Sequence, residues 1–139
     1  MKRYLLDSGP LAAYLAGRPR IVELLSPWVR RREAATSVLA YGEVLEYLKG
    51  RQDFLQRKSE LQRLLSTIYP FTLSLASVEQ YADIRRNLRP PQGPGLIGDL
   101  DTLIAATAVE RDLTLVTSDS DFRRVAGLRL LLIPREELR

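Results

Sequence analysis

The sequence contains no cysteine and no histidine. Without cysteine there are no disulfides and no thiolate-held metal. Without histidine, every Ser-His-Asp and Cys-His mechanism is excluded, as is every histidine-ligated zinc site. Imidazole cannot serve as a general base either. A run of ~18 apolar residues is also missing, so no segment reads as a membrane span. The charged start of "MKRYLLDSGP" leads into an apolar stretch too short for a secretory signal. The chain therefore reads as soluble and cytoplasmic. Lysine is scarce, confined to Lys2, Lys49 and Lys58, which leaves arginine as the main partner for any buried acid. The chemistry that remains belongs to carboxylates, hydroxyls, Lys/Arg, or a metal held by oxygen ligands.

What is present fits one globular domain spanning residues 1–139. A chain of this size buries roughly two-thirds of its unfolded surface and needs no covalent staple. Lys and Arg together number 21 against 17 Asp and Glu, a net charge of +4 dominated by arginine. Arginine forks suit phosphate, which favours a nucleic-acid partner. A solvated arginine-rich surface is the plain alternative.

Strand-like and helix-like segments alternate along the chain. "RYLL" (3–6) reads as a first strand, broken by "DSGP"; Pro10 and the spacing of Leu11, Tyr14 and Leu15 start a helix. A helix over 19–32 is expected to break near Ser26-Pro27. "EAATS" (33–37) reads as a strand, and 37–50 as a helix with Ser37 as cap and Gly50 as end. A helix over 52–68 should bury Phe54, Leu55, Leu61 and Leu65. A strand at 69–74 precedes a helix over 74–88, capped by Ser74, with Val78, Tyr81, Ala82 and Leu88 inward. "RPPQGPG" (89–95) is a loop. A helix at 101–112, a strand at 113–118, a helical turn from Phe122 to about Ala126, and a strand at 128–133 complete the chain. The alternation predicts an α/β fold: a mostly parallel central sheet flanked by helices in three layers.

Acids collect at element ends. Asp7 follows the first strand and Asp119 follows the strand at 113–118, so both fall at the carboxyl edge where such sheets bind ligands. Asp101 opens a helix above the apolar residues Ile104, Ala105 and Ala108, and Asp99 is better placed as its N-cap. Glu43 lies inside a helix among Leu39, Ala40, Tyr47 and Gly50, a setting in which a carboxylate needs a partner. Each acid taken singly serves as a cap, a turn residue or a solvated side chain. Taken together, like charges at one sheet edge repel unless a cation neutralises them, and oxygen-only ligands suit Mg²⁺ or Mn²⁺.

Three segments, "LLDSGPLAAYL", "TSVLAYGEVLEYLKG" and "IGDLDTLIAATAVERDLTLVTSDSDF", resemble PIN domains, and more narrowly the VapC toxins of VapBC toxin–antitoxin systems. The resemblance covers nearly the whole chain, and its third segment is the most specific. It implies a ribonuclease dependent on Mg²⁺ or Mn²⁺, with Asp7, Glu43, Asp101 and Asp119 as the acids that converge on the ion. Thr117 and Ser8 would hold the site. Asp99 is an extra acid, able to hold a second ion or cap a helix, and Asp121 is an alternative to Asp119 as fourth acid. The resemblance further implies a homodimer and a VapB-like antitoxin lying along a helical groove. An RNA-processing PIN nuclease without antitoxin, or a non-catalytic module binding RNA or protein, are the alternatives. A receiver domain lacks its acidic pair and late lysine here, a D-x-D phosphatase its second aspartate, and no GxxxxGK[ST] loop exists.

Overall fold

Leu5 and Leu6, neighbours in the first strand, sit in two separate apolar cores, because alternate side chains leave a strand on opposite faces. The same division splits Ala35 from Ala34 and Leu115 from Val116. A sheet buried on both faces needs apolar residues at consecutive positions, and these strands supply them.

The computed structural model describes all 139 residues. Five strands, β1 (Tyr4–Leu6), β2 (Ala34–Ser37), β3 (Tyr69–Phe71), β4 (Thr114–Thr117) and β5 (Leu130–Leu132), form one sheet in the order β3-β2-β1-β4-β5. Every pairing is parallel. Helices α1 (Ser8–Leu15), α2 (Pro19–Arg30), α3 (Val38–Lys49) and α4 (Phe54–Leu64) supply the core with Leu6, Val116 and Ile133. Helices α5 (Leu75–Leu88) and α6 (Asp99–Glu110) supply the other, with Leu5 and Leu115. The predicted three-layer α/β architecture is the one observed. No helix is long and apolar enough to cross a membrane.

The chain builds outward from β1 to β3, then returns to place β4 on the other side of β1. That reversal opens a crevice at the carboxyl ends of β1 and β4, the place where open parallel sheets bind ligands. Asp7 follows β1 and Asp119 lies just beyond β4, so both acids border the crevice. Buried Thr36 Oγ1 donates to Leu6 O at 2.8 Å and locks β2 against β1 one residue from it.

Three local expectations are corrected. Helix α2 runs through Pro27 without a break. The proline forfeits a ladder bond, but Ile21 and Leu25 are fully buried and Trp28 stacks on Tyr4 at 3.8 Å, so packing on both sides outweighs the loss. Leu55 is 79% exposed, although Leu61 is fully buried on the same helix. In α5 the inner face is Ser77, Tyr81, Ile84 and Leu88, spaced 4, 3 and 4, which turns Val78 and Ala82 outward. Ser77 is buried because its hydroxyl closes a capping box with Ser74, bonding the Ser74 amide at 3.3 Å while Ser74 Oγ accepts from Ser77 N–H at 3.1 Å.

Leu115 lies in a central strand with no exposed surface. Leu115→Ala is expected to lower the unfolding free energy by about 3 kcal/mol, read from the urea midpoint. A loss under about 1 kcal/mol would contradict this placement of the core.

Candidate metal centre

The local sequence puts three of the four acids where a helix begins. Asp7 is the N-cap of α1, its Oδ1 accepting from Ser8 N–H at 2.8 Å. Asp101 lies in the first turn of α6. Asp119 caps the short helical turn Ser120–Arg124, accepting from Asp121 N–H at 2.9 Å. Helix N-termini carry partial positive charge, which offsets part of the mutual repulsion of these acids. Glu43 differs: it comes from the second turn of α3, with buried Ala40 and Val44 beside it.

Asp7 is the anchor. It is buried, and Thr117 Oγ1 donates to its Oδ2 at 2.7 Å. The same hydroxyl accepts from Asp119 N–H at 3.1 Å, so one fully buried threonine ties the ends of β1 and β4 to both acids. Burial nevertheless raises the Asp7 pKa, with repulsion from Asp119 adding to it, against the lowering by Thr117 and Ser8. Glu43 is raised by burial and then by Asp7, with the neighbouring Ser8 opposing the shift. Its Oε1 is buried without any hydrogen-bond partner. Asp101 is pushed up to about 6 by burial, then by Asp7, Asp119, Glu43 and Asp121 in that order.

Asp101 thus feels four other acids at this edge, with Asp121 the weakest contributor. No group of three or more is drawn tightly enough together to hold a metal ion in this arrangement. The donor set still fits a hard divalent cation: every ligating atom is oxygen, one buried carboxylate oxygen is unpartnered, and three carboxyl groups lie above their ordinary range. A cleft in which one buried and two partly buried acids are all raised is a functional-site candidate.

Asp99 does not cap α6. Gly98 occupies the cap position, and Asp99 is the first helical residue. Its carboxylate is taken by Arg85 at 2.6 Å and by Tyr81 Oη at 3.1 Å, which fastens α5 to the start of α6 and holds Asp99 outside the acid cluster. Arg85 is therefore already paired. Arg124 reaches Leu96 O at 3.1 Å and Asp121 at 3.6 Å. Sequence reasoning missed the groove beside the acids. Ser8, Gly9 and Ala12 of α1 face Gly42, Glu43 and Tyr47 of α3 across it, with Leu100 at its mouth. Its visible signal was small residues on one α1 face opposite Gly42.

The profile of the PIN domain family matches residues 4–128. The chain belongs to the PIN-domain family. Solved structures of similar fold include VapBC2 from Rickettsia felis bound to a DNA fragment from their promoter, with a TM-score of 0.81 and 24% identity over 94% of this chain and 98% of that one. DNA-bound VapBC from Salmonella typhimurium superposes with a TM-score of 0.81 at 19% identity, covering 94% and 98%. FitAcB from Neisseria gonorrhoeae gives 0.73 at 21% identity, covering 92% and 96%. A search of curated protein sequences finds no match. At these identities the likeness establishes that this PIN domain shares their fold.

The raised Asp101 makes a prediction with a definite sign. Its folded pKa exceeds its unfolded value, so the folded state binds the extra proton and stability falls as pH rises from about 4 to about 6. Because Asp101 is half exposed, the screened penalty is about 1 kcal/mol. Asp101→Asn is expected to raise Tm by roughly 3 °C at neutral pH in chelator, with the gain vanishing near pH 4. A lower Tm at neutral pH would contradict the electrostatic reading.

Proposed function

We infer that this PIN domain is a ribonuclease that hydrolyses RNA phosphodiester bonds with the help of Mg²⁺ or Mn²⁺, and that it serves as the toxin of a toxin–antitoxin pair. The observation that carries the reading is the acid cluster at the switch point, with Glu43 Oε1 buried and unpartnered and the Asp101 pKa pushed up to about 6. Asp7, Glu43, Asp101 and Asp119 are the residues that would hold the ion. Bound there, a divalent cation would supply Lewis acidity toward a phosphoryl oxygen and make water easier to deprotonate.

The chain's own groups do the rest. Thr117 and the Ser8 amide fix both oxygens of Asp7, so that carboxylate cannot rotate away from the crevice. Asp101, pushed up to about 6 by burial and then by its neighbouring acids, is the carboxylate whose charge the cation would relieve. Arginines along the edge, among them Arg123 and Arg124, would meet flanking phosphates. Asp99, held by Arg85, positions the start of α6 and with it Asp101.

The antitoxin assignment draws on the VapBC neighbours, in each of which one chain shares this fold. It also draws on an apolar basin of about 420 Å³ between α1 and α3, lined by Ala12, Ala13, Val44 and Leu48 and rimmed by Arg18 and Arg57. An amphipathic antitoxin segment is the proposed occupant. A homodimer is proposed with it; sedimentation of the purified chain at twice its 15.8 kDa mass is the expected result.

RNA cleavage tests the activity. Wild type is expected to cut RNA with Mn²⁺ or Mg²⁺ and to stop in chelator. Asp7→Asn, which keeps the α1 cap, should lose at least about 100-fold in rate. Cleavage that persists in chelator and in the variant would overturn the assignment.

A further inference from the structure

All five strands are parallel, so the carboxylates share one edge of the sheet and the strand starts share the opposite edge. Lys2 and Arg3 lead into β1 there, Arg31, Arg32 and Glu33 into β2, and Ser66 and Thr67 toward β3. The acids at this edge are already engaged. Glu33 is shared by Arg3 at 3.4 Å and Arg31 at 3.7 Å, and Asp112 is held by Arg129 at 2.7 Å. Glu110 pairs with Arg111 at 2.9 Å.

Lys2 and Arg32 have no carboxylate. Each donates instead to a neighbouring carbonyl: Lys2 Nζ to Thr67 O at 3.0 Å, and Arg32 to Ser66 O at 3.3 Å. Successive carbonyls thus set two cations close together. Partial burial, then repulsion from Arg32, holds the Lys2 ammonium below its ordinary range. Both line a depression of about 600 Å³ that also includes Ser66, Pro70 and Tyr69. The Tyr69 ring is 46% exposed and stacks on Phe71 at 4.9 Å.

The backbone adds a second observation. Helix α2 ends in a Schellman motif, with Arg32 N–H bonded to Val29 O at 3.0 Å and Glu33 N–H to Trp28 O at 2.8 Å. Arg32 takes the left-handed position, φ 58°, where glycine is ordinarily favoured. The fold tolerates local strain there and gains a long cation beside Lys2.

We propose that this edge is a second RNA contact, a phosphate-binding surface centred on Lys2 and Arg32 with Tyr69 as a base-stacking platform. The proposal rests on RNA being the substrate. Lys2 and Asp7 are separated by the length of β1, roughly 16 Å of extended chain, so the surface grips nucleotides remote from the acids. Two cations without counter-ions favour phosphate, and a guanidinium fork matches its geometry. An exposed ring beside them offers the stacking face that bases of single-stranded RNA use.

Fluorescence anisotropy of the full chain with a short labelled single-stranded RNA tests this, in chelator so that binding is read without cleavage, across a salt series. The Lys2→Gln/Arg32→Gly double variant is expected to bind about tenfold more weakly, with the slope of log affinity against log salt shallower by about 1.4. Arg32→Gly alone should raise Tm, which separates lost binding from lost folding. Tyr69→Ala should weaken binding and leave the slope unchanged. Unchanged affinity and slope in the double variant would overturn the proposal. So would polyglutamate binding as tightly as RNA and declining equally in that variant, which would mark a surface for acidic protein. Wild type that cuts RNA while the double variant binds normally would refute this surface and keep the nuclease. Wild type that binds RNA here but cuts none would do the reverse.

Discussion

The arrangement depends on one buried hydroxyl. Thr117 Oγ1 donates to Asp7 and accepts from the Asp119 amide, joining the ends of two central strands to two acids. Without such donors, placing carboxylates this close in a partly buried crevice is unfavourable, and the protein tolerates it only because three of them also sit at helix starts. The remaining repulsion is visible in the raised Asp7, Glu43 and Asp101 carboxyls. The fold holds a charge conflict in place, and a cation is the simplest means of resolving it.

Parallel topology turns that local conflict into an organised molecule. It directs every strand end, and hence every acid that follows a strand, to one edge. The two apolar cores support this from both faces, with Leu5 and Leu115 on one side and Leu6 and Val116 on the other. Rigid strands then carry the precision, and the helices α1, α3 and α6 contribute their first or second turns to the crevice.

Much of this was legible in the residues. "DSGP" after an apolar run announces a strand end, a cap and a helix start together, which fixes Asp7 at the end of β1. The same logic placed Asp119 after "LTLVTS". Features decided by contacts between distant segments were not legible. Pro27 passes inside a helix because Trp28 stacks on Tyr4, a residue from another element. Asp99 yields the cap to Gly98 and pairs with Arg85, 14 positions earlier in the chain. The unpartnered oxygen of Glu43 is likewise a property of how α3 packs, although its apolar neighbours signalled that a partner was needed.

The most direct measurement is anomalous diffraction from crystals of the protein soaked in Mn²⁺. The account predicts a strong peak in the crevice, within coordination distance of carboxylate oxygens of Asp7 and Asp101 and with Glu43 facing it. Manganese bound only elsewhere, with the three acids still apart and bare, would contradict it.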